Sequence, residues 1–349
     1  MSFEQDDPRP LVSLIIPAYN EEHIIVQSLT TVLGYVDREL DPQYRFEVLV
    51  VDDGSSDRTA ELAEAFAVDH PRVRVLRHPV NFRLGQALRY AFGASRGDYV
   101  VTLDCDLSYD PEHIGRMLEA LRVNYARVVV ASPYMKGGRT TAIPRGREMM
   151  SRGANRLLAA SSQDGISTLT GMVRAYDGPF LRSLNLKAMG PEINTEILYK
   201  AKILRARVVE VPAHLDWTGQ AERAKTRRVN LKVKPTTKLY LFSSFIYRPL
   251  AFFVVPGLAV MVLAVWTLLS IAFDTLRLVG DLDGGIDARL TEAFEQVYAQ
   301  RPQSFIIGGI SLLLSVQLIS FGLLSLQSKR YFEELFHIST RVVRGVERP

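Results

Sequence analysis

Two carboxylates stand at the end of an apolar run. Val100 to Glu112 reads V-V-T-L-D-C-D-L-S-Y-D-P-E, and its apolar start, from Tyr99 to Leu103, fits a buried strand of a parallel sheet. Asp104 and Asp106 then lie at the carboxyl end of that strand, where an open α/β sheet places its ligands. Acids one residue apart repel each other unless a cation joins them. Hard divalent ions such as Mg²⁺ or Mn²⁺ are held by carboxylate oxygens together with substrate phosphates. This chemistry predicts a metal clamp for a nucleotide diphosphate. A blander reading stays open: an exposed acidic turn leading into a helix that begins at Pro111 and Glu112, with Asp110 as its N-cap.

The elements that must position these acids follow from the flanking pattern. Leu11 to Ile16 is a short apolar run stopped by Pro17, then Ala18, Tyr19, Asn20, Glu21 and Glu22, which predicts a strand, a turn and a helix from about Glu22 to Val36. Val48 to Val51 predicts a second strand ending in Asp52, Asp53, Gly54, Ser55, Ser56 and Asp57. A helix from Arg58 to Val68, capped by Ser56 or Asp57, comes next. Val73 to Leu76 repeats the pattern, with Asn81 to Gly85 leading into a helix that ends near Ala94. Strands alternating with helices predict an α/β fold with a mostly parallel sheet and right-handed crossovers.

Several function classes are excluded. There is no G-x-G-x-x-G fingerprint and no G-K-[ST] phosphate loop, which argues against a dinucleotide enzyme or a P-loop ATPase. The six histidines show no paired zinc spacing. The single cysteine, Cys105, rules out an intrachain disulfide and agrees with a reducing compartment. Met1 to Pro10 is polar and acidic, so no signal peptide is expected.

Apolar residues are unevenly spread along the 349-residue chain. Leu250 to Phe273 and Ser304 to Gln327 carry no Asp, Glu, Lys or Arg, and each is long enough to cross a bilayer core of about 30 Å. The net charge of +4 belongs to a membrane surface rather than to nucleic acid, because of where the basic residues fall. Arg223, Lys225, Arg227, Arg228, Lys232, Lys234, Lys238 and Arg248 precede the first span, while Lys329, Arg330, Arg341 and Arg344 follow the second. The connector between them is acidic. The positive-inside rule therefore predicts both ends in the cytoplasm and a multi-pass protein of the cytoplasmic membrane. The expected organisation is a cytoplasmic domain over 1–228, an amphipathic segment on anionic lipid over 229–249, spans over 250–273 and 304–327, an extracytoplasmic connector over 274–303 and a cytoplasmic tail over 328–349. The uncharged spans also offer surfaces for a homo-oligomer.

Three stretches in this order, V-S-L-I-I-P-A-Y-N-E-E from Val12, V-V-D-D-G-S-S-D-R-T from Val50 and D-C-D-L-S-Y-D-P-E from Asp104, resemble the nucleotide-sugar half of family 2 glycosyltransferases with the GT-A fold. Downstream, S-P-Y-M-K-G-G from Ser132, R-E-M-M-S-R-G-A-N from Arg147, T-G-M-V-R-A-Y from Thr170 and E-V-P from Glu210 resemble the dolichyl- or polyprenyl-phosphate sugar synthase branch, which also carries two C-terminal spans. The resemblance covers roughly Leu11 to Asn230.

That resemblance implies roles. Pro17, Tyr19 and Glu21 would border the base and ribose, with Val51, Asp52, Asp53, Gly85 and Cys105 completing the nucleotide-sugar site. Asp104 and Asp106 would hold Mg²⁺ or Mn²⁺ and the diphosphate of a GDP- or UDP-linked sugar. For Asp52 and Asp53 an Asx-type turn leading to a helix N-cap is the competing reading. Ser108 stands where the family often has a metal-binding Gln, so it is a weak candidate ligand. Arg147, Arg152 and Arg174, with Ser132, Arg223 and Lys225, are candidates to meet an acceptor phosphate, because guanidinium forks suit phosphate oxygens. The chain departs from the branch at Pro133, where S-R-Y is usual, and after Pro212, where Arg223 and Lys225 only approximate the usual basic pair. The implied reaction is inverting transfer of a mannose- or glucose-type hexose to a polyprenyl or dolichyl phosphate. A phosphate monoester is already largely ionised at neutral pH, so it needs no general base. A glycolipid or polysaccharide synthase with a hydroxyl acceptor is the alternative, although no Q-x-x-R-W motif follows the acids. A membrane-anchored homologue that binds nucleotide without turnover is the other.

Overall fold

The computed structural model describes residues 7–144, 146, 148–149, 151, 153, 166–219 and 249–346. These fall into two compact units, one holding the α/β domain before residue 220 together with the end of the chain from Phe336, the other a helical unit that ends at Leu335.

The α/β domain opens with β1 (Leu11–Ala18), α1 (Ile25–Tyr35, continued by a π-helical turn Val36–Leu40), β2 (Arg45–Asp52), α2 (Thr59–Asp69), β3 (Val73–Arg77), α3 (Leu84–Ala94), β4 (Tyr99–Thr102) and α4 (Glu112–Val123). It continues with β5 (Val128–Ser132), β6 (Arg139–Thr141), β7 (Arg174–Asp177), α5 (Gly178–Arg182), α6 (Ile193–Ile203), β8 (Val208–Pro212) and β9 (His214–Asp216). Seven strands form one sheet in the order β3-β2-β1-β4-β7-β5-β8, and β6 pairs with β9 in a second, two-stranded sheet. All the pairings are parallel except those of β7, which runs antiparallel between β4 and β5. Central strands of such a sheet are covered on both faces, and Phe46 to Asp52 of β2 is buried without interruption. Helices cover the sheet through one apolar stripe each; in α4 it is Ile114, Met117, Leu118 and Leu121, the spacing of a single helical face.

The predicted elements appear with small shifts. Asp57 accepts from Thr59 N at 3.0 Å, tying down the start of α2. Asp110 Oδ1 accepts from Glu112 N at 2.8 Å at the start of α4.

The helical unit holds α7 (Pro249–Asp281), α8 (Ile286–Gln300) and, as far as Leu335, α9 (Pro302–Val346). Within α7 and α9, Phe252–Asp281 and Pro302–Leu335 are long and apolar enough to cross a membrane. Both helices outrun the expected spans because the backbone stays helical past the apolar stretch, and the expected connector holds a helix of its own. Small residues Ala264, Thr267, Ser311 and Ser315 are buried, and Ser315 Oγ lies 3.5 Å from Met261 Sδ between α7 and α9. Close packing through small and hydroxyl side chains suits helices that have no water to drive them together. The segment expected to lie on lipid, 229–248, is outside the described residues.

Candidate active site

β1 and β4 are neighbours at the point where the strand order reverses, with β2 and β3 on one side and the later strands on the other. An open α/β sheet forms its ligand crevice there, beyond the carboxyl ends of the strands. The register brings the sequence candidates to that edge. Ile15 stands opposite Thr102 and Leu103 N donates to Ile15 O at 2.9 Å, so Asp104 leaves the sheet beside Pro17. Pro17 pairs with Val51 and Ala18 with Asp52, and Asp53 N donates to Ala18 O at 2.9 Å.

Asp104 and Asp106 are half-buried. Burial and the nearby charge of Asp106 push the Asp104 carboxyl up to about 7, an effect only partly offset by the Ser108 hydroxyl. Asp106 Oδ1 accepts from Ser108 N at 2.9 Å, and Ser108 O accepts from Asp216 N at 2.8 Å. The loop is pinned further by the Tyr109–Leu215 bridge. The His113 ring reinforces this, donating from Nδ1 to Asp110 O at 2.8 Å and accepting from His214 N at Nε2 at 3.1 Å. The two acids are thus held at the sheet edge while Asp110 does the capping. Among the described residues no group of three or more His, Cys, Asp or Glu side chains forms a complete metal cage. A lone pair of carboxylates fits an ion that draws its other oxygens from water and substrate phosphates, the habit of Mg²⁺.

The two acids after β2 divide their work. Asp52 is fully buried and its carboxylate accepts from Ser55 N at 3.3 Å, the Asx-type turn. Asp53 Oδ1 accepts from His78 Nδ1 at 2.8 Å and from Phe82 N at 3.0 Å. Its Oδ2 has no partner among the described residues and remains able to accept from a ligand. Gly54 makes this turn possible: its φ is +69°, and a Cβ there would sit 2.3 Å from the Val80 carbonyl carbon. The first loop is stitched to the second, with Asn20 N donating to Ser55 Oγ at 2.9 Å and Glu21 N to Thr59 Oγ1 at 2.8 Å. Tyr19 is exposed on this edge, whereas Val51 and Cys105 are buried and serve as its support. Gly85 packs so closely on the 188–190 segment that a Cβ would lie 2.5 Å from the Met189 carbonyl carbon.

Two phosphate candidates are corrected. Arg174 is fully buried, and its guanidinium donates to Gly171 O at 2.8 Å, Asn194 O at 2.7 Å and Leu169 O at 2.6 Å. It braces the 169–171 segment against α6, with each of its three nitrogens on a backbone carbonyl and the whole side chain shut away from solvent. Ser132 is likewise buried, its Oγ 2.7 Å from Thr168 Oγ1 and accepting from Met135 N at 3.2 Å. Arg147, Arg152, Arg223 and Lys225 lie outside the described residues. His78 is the residue the sequence reading missed. It follows β3 directly, as Asp53 follows β2, and that shared position was the available signal.

Two acids and a buried carboxylate gather at the switch point of this sheet, and the fold is of the GT-A type. The pattern of "Glycosyl transferase family 2" matches residues 13–183. The chain is 34% identical over 207 residues to the undecaprenyl-phosphate mannosyltransferase of Micrococcus luteus, covering 58% of this chain and 82% of that protein. It is 33% identical over 204 residues to the dolichol-phosphate mannosyltransferase of Pyrococcus furiosus, covering 58% of this chain but only 55% of that longer protein. Among solved structures, glucosyl-3-phosphoglycerate synthase from Mycobacterium tuberculosis, in complex with Mn²⁺ and UDP, aligns with TM-score 0.46 at 23% identity, over 59% of this chain and 70% of that one. The chain belongs to glycosyl transferase family 2, and within it is similar to proteins named as polyprenyl-phosphate sugar transferases.

Proposed function

We propose that this protein moves a mannose- or glucose-type hexose from a GDP- or UDP-linked donor to a polyprenyl or dolichyl phosphate, with inversion at the anomeric carbon. The observation that carries the reading is the pair Asp104 and Asp106 side by side at the β1/β4 switch point, where burial and the neighbouring charge hold the Asp104 carboxyl above the usual carboxylate range. The names of the Micrococcus and Pyrococcus relatives support the acceptor class.

In this reading Asp53 accepts from the nucleoside through its free Oδ2, and Pro17, Tyr19 and Glu21 border base and ribose. Asp104 and Asp106 are the groups that would hold Mg²⁺ or Mn²⁺, with Ser108 closing the loop beneath them. When bound, such an ion neutralises negative charge growing on the departing diphosphate. The acceptor phosphate attacks: its oxygen bonds to the anomeric carbon as the bond from that carbon to the diphosphate oxygen breaks, and the electron pair leaves with the nucleotide. A phosphate monoester with a second pKa of about 6 carries its charge already, so no side chain must remove a proton. Arg147 and Arg152 remain candidates to position it, as do Arg223 and Lys225.

The proposal includes the membrane. The helices Phe252–Asp281 and Pro302–Leu335 would anchor the enzyme in the cytoplasmic membrane, with residues 1–228 and 328–349 in the cytoplasm and residues 274–303 outside. An anchored enzyme meets a lipid acceptor in two dimensions. The test is transfer from a panel of radiolabelled nucleotide sugars, with Mg²⁺ or Mn²⁺, to polyprenyl phosphate in detergent. A labelled glycosyl phospholipid that disappears in Asp106→Ala supports the reading. Transfer to free polyprenol instead would point to a hydroxyl acceptor, and binding with no turnover would refute the enzyme.

A further inference from the structure

The helix α8 between the two long apolar helices carries an uncovered apolar stripe. Ile286, Leu290, Phe294 and Tyr298 recur every fourth residue, which places them along one side of the helix, and they are 65, 40, 50 and 51% exposed. Ala293 and Val297, beside that stripe, are buried. Ala288, Glu292, Glu295 and Ala299 lie on the opposite side and are exposed. A soluble connector has no reason to keep four large apolar side chains in water.

Three observations say what covers the stripe. Links of a few residues tie α8 to the two candidate spans: Leu282 to Gly285 on one side, Arg301 on the other. Arg301 Nη1 pairs with Asp274 Oδ2 at 2.9 Å, which fixes the start of α9 beside the residue where the charge-free part of α7 ends. The rings of Phe294 and Tyr298 each pack edge-on against Phe305, with centroids 5.2 Å apart, so the stripe runs without a break into the apolar surface of the second candidate span. From this continuity we infer that α8 is a membrane-surface helix, seated with Ile286, Leu290, Phe294 and Tyr298 in the headgroup and acyl boundary of the leaflet that holds the α7–α9 connection. Its polar side faces water. Amphipathic helices of this size bind lipid in this way. The inference rests on the reading of α7 and α9 as membrane spans.

The test uses full-length protein in lipid nanodiscs, spin-labelled at Leu290→Cys, Phe294→Cys, Glu295→Cys or Leu313→Cys. Leu313 is 73% exposed on α9, and the native Cys105 is buried, so wild type supplies the background. Labels at 290, 294 and 313 should collide with oxygen several-fold more than with a water-soluble nickel complex, and the label at 295 should show the reverse. If 290 and 294 behave like 295 while 313 reads as lipid, the stripe lies in water and the inference falls with the spans intact. An aqueous reading at 313 itself overturns the membrane reading. Shielding of 290 and 294 from both agents means that a protein surface or a second copy covers the stripe, which also overturns the inference.

Discussion

Asp53 and His78 are joined at 2.8 Å, carboxylate Oδ1 to ring Nδ1, with both side chains almost entirely buried. The imidazole is held from two sides, stacked on Tyr90 at 5.2 Å and edge-on to Phe82 at 5.2 Å. Since Phe82 N donates to the same oxygen, Oδ1 is fully engaged, and Oδ2 has no partner among the described residues. His78 is therefore a positioning residue for Asp53. His78→Ala should raise KM for the nucleotide sugar about tenfold, or about 1.4 kcal/mol, with little change in kcat. His78→Asn keeps an amide donor and should recover part of the loss. Steady-state kinetics that show kcat falling with KM constant would contradict the role.

Gly54 carries the Asp53 turn. Gly54→Ala introduces a Cβ at a φ of +69° and 2.3 Å from the Val80 carbonyl carbon. Left-handed strain of about 1–2 kcal/mol and overpacking of about 1–3 kcal/mol add to a loss of roughly 2–5 kcal/mol. Thermal unfolding measures it, and nucleotide binding should weaken in parallel because Asp53 moves with the turn.

Arg174 tests the correction made above. With three carbonyls on its guanidinium, Arg174→Lys should lower stability by about 1–3 kcal/mol while leaving KM for the lipid phosphate in the folded protein unchanged. A selective rise in acceptor KM at unchanged melting temperature would restore it as a phosphate ligand.

Glu47 is one source of pH-dependent stability in the domain. Burial opposes its charge, but the Ser13 hydroxyl, the Arg96 backbone N–H and the Arg96 guanidinium together outweigh that, holding its carboxyl below the usual glutamate range. Ser13 Oγ donates to it at 2.6 Å and Arg96 N at 2.7 Å, with Arg74 at 3.1 Å. A depressed folded-state pKa contributes stability that is present above the unfolded value of about 4.3 and is lost as pH falls through the folded value. Glu47→Gln should cost about 1–3 kcal/mol at pH 7 and flatten the stability curve at the acid end. Denaturant titrations from pH 7 to pH 3 check both effects.

Much of the site was legible because parallel strands put their functional residues at one place, just past an apolar run. Asp104 and Asp106 could be picked out from that rule alone, whereas Asp53 came from the family resemblance. What one residue does beside its neighbour could not: Asp52 and Asp53 are both acids after β2, and only the fold gives the turn to one and His78 to the other. The partner lies 25 residues on, across a helix and a strand, where no local spacing reveals it. Arg174 and Ser132 had the right chemistry for phosphate, but residue type does not say whether a side chain points into the wall or into the crevice. β7 was hidden by its brevity, four residues inserted antiparallel into a parallel sheet. The α8 stripe was present as a four-residue period, masked by the acidic residues between its members.

The account stands on Asp104 and Asp106 holding a divalent ion together with the donor's diphosphate, and cation-linked nucleotide binding tests that most directly. Calorimetric titration of UDP and GDP into the purified protein, with and without Mn²⁺, should show that one of them binds at least tenfold more tightly with the ion, an advantage lost in Asp104→Asn and in Asp106→Asn. Binding of equal strength with and without Mn²⁺, or an Mn²⁺ effect that survives both substitutions, would contradict it.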